Sequence, residues 1–140
     1  MFVIEYFENE RWLTMGMHVA YLTNDLLFSS RVMSLAHLAG VPLTVVGSRQ
    51  ALCQRVADSG SSAIFVDLEH PESQMDVLVQ ELSVSAPRPK IVAYGPHVKE
   101  SLLASAQAAG AESVLSRGQF DKQVGSILQT LASQHTPDSR

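Results

Sequence analysis

The stretch Ser62–Pro71 reads SAIFVDLEHP and carries the strongest fold signal in the chain. Its apolar run, Ala63–Val66, does not alternate with polar residues, which is typical of a strand covered on both faces. Asp67 follows directly and should therefore lie at the carboxyl end of that strand. Open α/β sheets build their sites at this edge. The stretch thus predicts a buried parallel strand and makes Asp67 the first candidate for a functional residue.

The composition fits one packed domain and excludes several classes of function. The chain has 140 residues, of which 46% are hydrophobic and 17% are charged, as expected for a single globular core. Its net charge of −4 comes without a basic stripe, so we expect no nucleic-acid partner. No apolar run approaches the roughly 18–20 residues of a membrane span, and the start lacks signal-peptide features. The single cysteine, Cys53, cannot form an internal disulfide, which favours a reducing, cytoplasmic setting.

Five short apolar runs alternate with five segments of helical spacing. The predicted strands are His18–Leu22, Val41–Val46, Ser62–Val66, Ile91–Tyr94 and Ser113–Leu115. Three of the helical segments end at a glycine, namely Gly40, Gly60 and Gly110. Strands that alternate with helices pair in parallel through right-handed crossovers. We therefore expect an α/β domain with helices on both faces of a parallel sheet of strand order 2-1-3-4-5.

This strand order places a switch point between strands one and three. The residues that follow strand one are Thr23, Asn24 and Asp25, and they should lie next to Asp67. The sequence therefore predicts a polar cluster at the carboxyl edge.

The domain should span residues 17–132, between an N-terminal extension, residues 1–16, and a polar tail, residues 133–140. The extension contains several aromatic side chains and the only tryptophan, Trp12. It either docks as a strand or helix on the domain or on a second copy, or it is a poorly ordered extension.

From about Met17 to Leu131 the sequence resembles the receiver domain of two-component response regulators. The family's phosphoacceptor motif is an apolar strand that ends in Asp, with Pro four residues later, as in Asp67–Pro71. The family's spacing from strand four to the end of strand five is matched by Gly95, Gly110-Ala111 and Arg117. The resemblance implies a doubly wound (βα)5, flavodoxin-like three-layer sandwich, with Asp67 as the phosphoacceptor-like residue.

The metal-binding positions of that family are altered in this chain. Receiver domains carry an acidic pair after strand one that holds Mg²⁺ beside the acceptor, and this pair aligns with Thr23 and Asn24. Asp25 is one residue further on, so Asp25 and Asp67 are the candidate metal ligands. Because Mg²⁺ takes oxygen ligands in a demanding geometry, we expect any such site to be weak.

The switching positions are altered as well. The family's hydroxyl residue at the end of strand four aligns with Gly95, its lysine with Arg117, and its strand-five aromatic with Val114. Arginine keeps the charge of lysine but presents a planar fork instead of a compact ammonium group. We expect Arg117 to form an ion pair with Asp67 that satisfies the carboxylate without a ligand.

No other cofactor or catalytic motif stands out. The five histidines lack the paired spacing of a zinc site, although His70 and His97 fall on loops at the carboxyl edge. There is no glycine-rich phosphate loop and no nucleophile elbow. We therefore predict no cofactor other than weakly held Mg²⁺.

The leading hypothesis is a stand-alone, divergent receiver-like module that is not an enzyme. It would act in signal transduction by binding a kinase, a downstream effector or a second copy through about residues 99–131, with weak or no phosphorylation of Asp67. One alternative is a working phosphoacceptor at Asp67 with a rebuilt Mg²⁺ site. The other is a flavodoxin-like domain that binds a small molecule over Asn24, Asp67, Gly95 and Pro96, which requires a deep apolar pocket there.

Overall fold

The computed structural model describes residues 18–84 and 88–134 of the chain. Five strands and five helices alternate in it, as the sequence predicts. The strands are β1 (Val19–Leu22), β2 (Leu43–Val46), β3 (Ala63–Asp67), β4 (Lys90–Gly95) and β5 (Ser113–Ser116). The helices are α1 (Leu26–Ala39), α2 (Arg49–Ser59), α3 (Met75–Leu82), α4 (Glu100–Ala109) and α5 (Arg117–Gln134).

All the strand pairs are parallel and the sheet order is β2-β1-β3-β4-β5, which confirms the predicted α/β topology. The boundaries differ by a residue or two. β2 begins at Leu43 and not at Val41, because Pro42 has no N–H to give to the ladder. The predicted extension, residues 1–16, lies outside the described residues, as do residues 135–140 of the predicted tail, whereas Ser133 and Gln134 continue α5. No described helix is long and apolar enough to cross a membrane.

Alternate residues of the central strands point to two separate cores. One core lies between the sheet and α2, α3 and α4, and includes Leu22, Ile64 and Val66. The other lies between the sheet and α1 and α5, and includes Tyr21 and Phe65. Both central strands, β1 and β3, are buried along their whole length, as expected for strands covered on two faces.

A cluster of aromatic rings fixes α5 against the sheet. Phe120 on α5 stacks on Tyr94 with ring centroids 4.4 Å apart and meets Phe65 edge-on at 5.3 Å. The hydroxyl groups of Tyr21 and Tyr94 form a buried hydrogen bond of 2.6 Å. Because Arg117 lies one helical turn before Phe120, this packing holds Arg117 at the carboxyl edge of the sheet.

Candidate functional site

The topology brings the six predicted site residues to one edge of the sheet. Thr23, Asn24 and Asp25 form the turn between β1 and α1, Asp67 ends β3, Gly95 ends β4 and Arg117 begins α5. β1 lies directly beside β3, and β3 beside β4, so the turns after these strands are neighbours. Asn24 is exposed, whereas Thr23 and Asp67 are buried.

Asp67 is held by neutral hydrogen-bond donors of the chain itself. Its Oδ2 accepts a hydrogen bond of 2.7 Å from the Thr23 hydroxyl, and its Oδ1 accepts one of 3.0 Å from the backbone N–H of Glu69. The Thr23 oxygen in turn accepts a hydrogen bond from the backbone N–H of Asp25 at 3.0 Å. Asp67 is only 6% exposed, so these contacts satisfy a carboxylate that water reaches poorly.

Asp25 is the N-cap of α1. Its Oδ1 accepts a hydrogen bond from the Phe28 N–H at 3.0 Å, which satisfies one of the free donors at the start of the helix. Its Oδ2 accepts one of 2.7 Å from the Arg117 guanidinium. The hydrogen bond from Phe28 and then that from Arg117 lower the pKa of Asp25. In the same way, the Asp25 carboxylate raises the pKa of Arg117.

The predicted ion pair between Asp67 and Arg117 is wrong, because Arg117 pairs with Asp25. The guanidinium carbon of Arg117 also lies 4.3 Å from the centroid of the Phe28 ring. Arg117 is therefore held over the first turn of α1 by a charge and by an aromatic face. Asp67, by contrast, is buried behind Thr23 and already has its hydrogen bonds.

Gly95 offers no hydroxyl group at the switching position, and a Cβ atom there would make ordinary van der Waals contacts. A Cβ atom built on Gly95 would lie 3.4 Å from Leu68 Cβ and 3.4 Å from Leu103 Cδ2. The position is buried and faces apolar side chains. Val114, at the predicted aromatic position, is partly buried and packs against the core below α2, α3 and α4.

His70 is a structural residue of the β3–α3 loop, which its sequence position alone does not reveal. The backbone N–H of Glu72 donates to His70 Nδ1 at 2.9 Å, so the Nε2 carries the proton and donates to the Gly47 carbonyl at 2.8 Å. Ser73 adds hydrogen bonds to the carbonyls of Leu68 and His70. Both ring nitrogens of His70 are therefore engaged in holding the loop after Asp67.

The described residues contain no group of three or more histidines, cysteines, aspartates or glutamates that could hold a metal ion. At the carboxyl edge, each oxygen of Asp25 and Asp67 accepts a hydrogen bond from the chain. Mg²⁺ usually binds through one or two carboxylates and several waters in octahedral geometry. A cation bound to Asp25 would compete with the Arg117 guanidinium, which already lies 2.7 Å from Oδ2, so the two carboxylates fit the ion poorly.

Two grooves adjoin this edge. One, of about 690 Å³, lies between α3 and α4 and is lined by Leu68, Met75 and Ala106 among others. The second, of about 700 Å³, is lined by the loops that carry Glu69 and Lys99. Neither groove is lined by Asn24, Asp67, Gly95 or Pro96, the residues over which the alternative hypothesis of a small-molecule site places its ligand.

No protein-family model and no curated protein sequence matches this chain. Several solved structures match it in fold. The signal receiver domain of a response regulator from Bermanella marisrubri matches with a TM-score of 0.72 and 13% identity, over 83% of this chain and 98% of that chain. The beryllofluoride-activated NtrC4 receiver domain dimer matches with a TM-score of 0.71 and 10% identity, over 86% of this chain and 99% of that chain.

Full-length FixJ from B. japonicum matches with a TM-score of 0.68 and 16% identity, over 86% of this chain and 59% of that chain. The chain thus has the fold of response-regulator receiver domains.

Proposed function

We propose that this chain is a divergent receiver-like module that works in signal transduction by binding another protein, with weak or no phosphorylation of Asp67. The observation that carries the proposal is the set of contacts that the chain itself makes at the carboxyl edge. Both oxygens of Asp67 and both oxygens of Asp25 already accept hydrogen bonds from the chain's own groups. A site of this kind keeps one arrangement without a metal ion or a phosphoryl group.

The chemistry of phosphoryl transfer supports the same conclusion. The transferred group develops negative charge on its oxygens, which a metal ion and a cation must offset. Thr23 offers a hydroxyl group where the receiver pattern has a carboxylate, and Gly95 offers no side chain. Arg117, the cation of the edge, is paired with Asp25. We therefore expect weak Mg²⁺ binding and slow transfer to Asp67.

The partner in this proposal is a protein, either a kinase, a downstream effector or a second copy of the chain, in the cytoplasm. The proposed contact surface spans about residues 99–131 and includes α4. Four of the six exposed residues of α4 are small, namely Ser101, Ala104, Ser105 and Ala108. Small side chains let a partner's backbone approach closely, which suits a binding surface and requires no catalytic group.

The test is a two-dimensional amide NMR titration of the full chain with Mg²⁺ and then with beryllofluoride. We expect the amide signals of Asp67, Leu68 and Gly95 to stay within the shifts that the Asp67→Asn variant shows under the same additions. Shifts at these residues in the wild type alone, followed by changes across residues 99–131, would overturn the proposal. That outcome would establish the alternative, a working phosphoacceptor with a rebuilt Mg²⁺ site.

A gain-of-function variant provides the positive control. Thr23→Asp combined with Asn24→Asp restores the acidic pair after β1. The new carboxylate at position 23 would lie next to Asp67, since the Thr23 oxygen lies 2.7 Å from Asp67 Oδ2. We expect this variant to show Mg²⁺-dependent shifts at Asp67 that the wild type lacks. The amide dispersion of the same spectra verifies that each variant is folded.

A further inference from the structure

The outward face of α1 is the most apolar exposed surface among the described residues. Four of the six large hydrophobic side chains that are exposed there belong to this one helix, namely Leu26, Leu27, Met33 and Leu38. Leu27 is 89% exposed and Leu38 is 82% exposed. At 100° per residue these four side chains fall within about 140° of the helix circumference, along the length of α1. Exposed leucines on one side of a helix, unlike scattered ones, indicate a candidate binding surface.

The polar residues on this face are almost uncharged. Ser30, Ser34 and His37 lie between the leucines, and α1 contains no aspartate or glutamate at all. Its only arginine, Arg31, forms an ion pair with Asp121 of α5 at the rim of the face. An acidic, apolar segment would therefore meet no like charge on α1.

The chain itself contains such a segment. Residues 2–13 read FVIEYFENERWL, in which large apolar side chains alternate with three glutamates and a single arginine. The segment precedes the first described residue, His18, by only a short connection.

The point at which this segment joins the domain lies beside α1. The backbone N–H of Val19 donates to the Pro42 carbonyl at 2.9 Å, and that of Val41 donates to the Ala36 carbonyl at 2.9 Å. The start of β1 therefore lies next to the carboxyl end of α1, close to Leu38. α1 has 14 residues and is about 21 Å long, which a segment of this length can follow whether it is helical or extended.

We propose that residues 2–13 dock on the outward face of α1 in the same molecule and cover Leu27 and Leu38. A short tether keeps the segment at an effective concentration near the millimolar range, which favours the chain's own segment over a second copy. The inference does not rest on the state of Asp67, and it assigns a role to a face that the proposed partner surface, residues 99–131, leaves open.

Trp12 reports on this docking because it is the only tryptophan in the chain. The experiment compares the acrylamide quenching and emission maximum of Trp12 in the full-length wild type and in a Leu27→Ser, Leu38→Ser variant. We expect severalfold stronger quenching and a red-shifted emission in the variant. The matched control is Val98→Ser, which removes an apolar side chain of 74% exposure on the β4–α4 loop and should leave Trp12 unchanged.

Equal quenching of Trp12 in the wild type and in the double variant would overturn the proposal. So would protection of Trp12 that rises with protein concentration together with a dimer in sedimentation velocity, because the segment would then cover a second copy. Since both leucines are exposed in the domain, we expect the double variant to fold. The single Leu27→Ser variant, which should show a smaller change of the same sign, repeats the test with less disturbance.

Discussion

Asp25 has two roles at the carboxyl edge, and two substitutions separate them. Its Oδ1 caps α1 through the Phe28 N–H, and its Oδ2 forms the ion pair with Arg117. Asp25→Asn keeps a side chain that is a good N-cap and removes the charge. Asp25→Ala removes both contacts.

The structure sets the size of each effect. Loss of an N-cap lowers the free energy of unfolding by about 1 kcal/mol. The side chains of Arg117 and Asp25 are 43% and 31% exposed, so water screens the ion pair and it contributes about 0.5 kcal/mol. We therefore expect Asp25→Asn to lower the free energy of unfolding by about 0.5 kcal/mol and Asp25→Ala by about 1.5 kcal/mol.

Urea unfolding of the wild type, Asp25→Asn, Arg117→Ala and the double variant with both substitutions forms a double-mutant cycle. The coupling energy between Asp25 and Arg117 should be below about 1 kcal/mol and should fall as salt is added. The ion pair of Arg31 with Asp121, 54% and 44% exposed, is the matched control because Asp121 lies within α5 and caps no helix. If Asp25→Asn destabilises as much as Asp25→Ala, the capping argument is wrong. If no coupling is found at low salt, the assigned partner of Arg117 is wrong.

Three further predictions follow from the same contacts. The pKa of Asp25 is lowered in the folded protein. Ionised Asp25 therefore stabilises the folded state above the unfolded pKa of about 4, and this stabilisation is lost as the pH falls through the folded pKa. The difference in urea midpoint between the wild type and Asp25→Asn should shrink from pH 6 to pH 2. Tyr21→Phe removes the partner that lies 2.6 Å from the buried Tyr94 hydroxyl, and it should lower the free energy of unfolding by about 1–2 kcal/mol. Adding Tyr94→Phe to this variant should lower the free energy of unfolding further by less than that amount, because the unpaired hydroxyl is then removed. Burial and then Glu81 raise the pKa of Cys53 to about 11, so alkylation of the folded protein at pH 8 should be slow, and Glu81→Gln should accelerate it.

The fold could be predicted from sequence because its signals are local. Apolar runs such as Ala63–Val66 mark buried strands, and the glycine that ends α1, Gly40, has φ +73 and donates its N–H to the carbonyls of Ala36 and His37. Parallel pairing with right-handed crossovers then leaves few possible strand orders. To predict the exact start of β2, one must also consider that Pro42 has no N–H to donate to the hydrogen bonds of the sheet.

The location of the site was also predictable, but its pairing was not. The topology alone brings Asp25, Asp67 and Arg117 to one edge. Which carboxylate Arg117 contacts depends on side-chain reach between residues 92 positions apart, and no sequence pattern encodes that reach. The sequence does contain a signal for the role of Asp25, because an aspartate directly before a helical pattern predicts an N-cap. The hydrogen bond between Tyr21 and Tyr94 could not be predicted, because the sequence pattern identifies both tyrosines only as buried strand residues.

The residues at the carboxyl edge that differ from the receiver pattern depend on one another. A carboxylate at position 25 instead of 24 occupies the N-cap of α1, where the helix N–H engages one oxygen and Arg117 engages the other. Arg117 is then neutralised away from Asp67, and the Thr23 hydroxyl supplies the neutral donor that a buried carboxylate still requires. A single acidic substitution at Asn24 would therefore add a carboxylate while position 23 still presents a hydroxyl group to Asp67. Restoring the acidic pair of the receiver pattern requires a change at Thr23 as well, because Thr23 is the residue of this pair whose side chain contacts Asp67 directly.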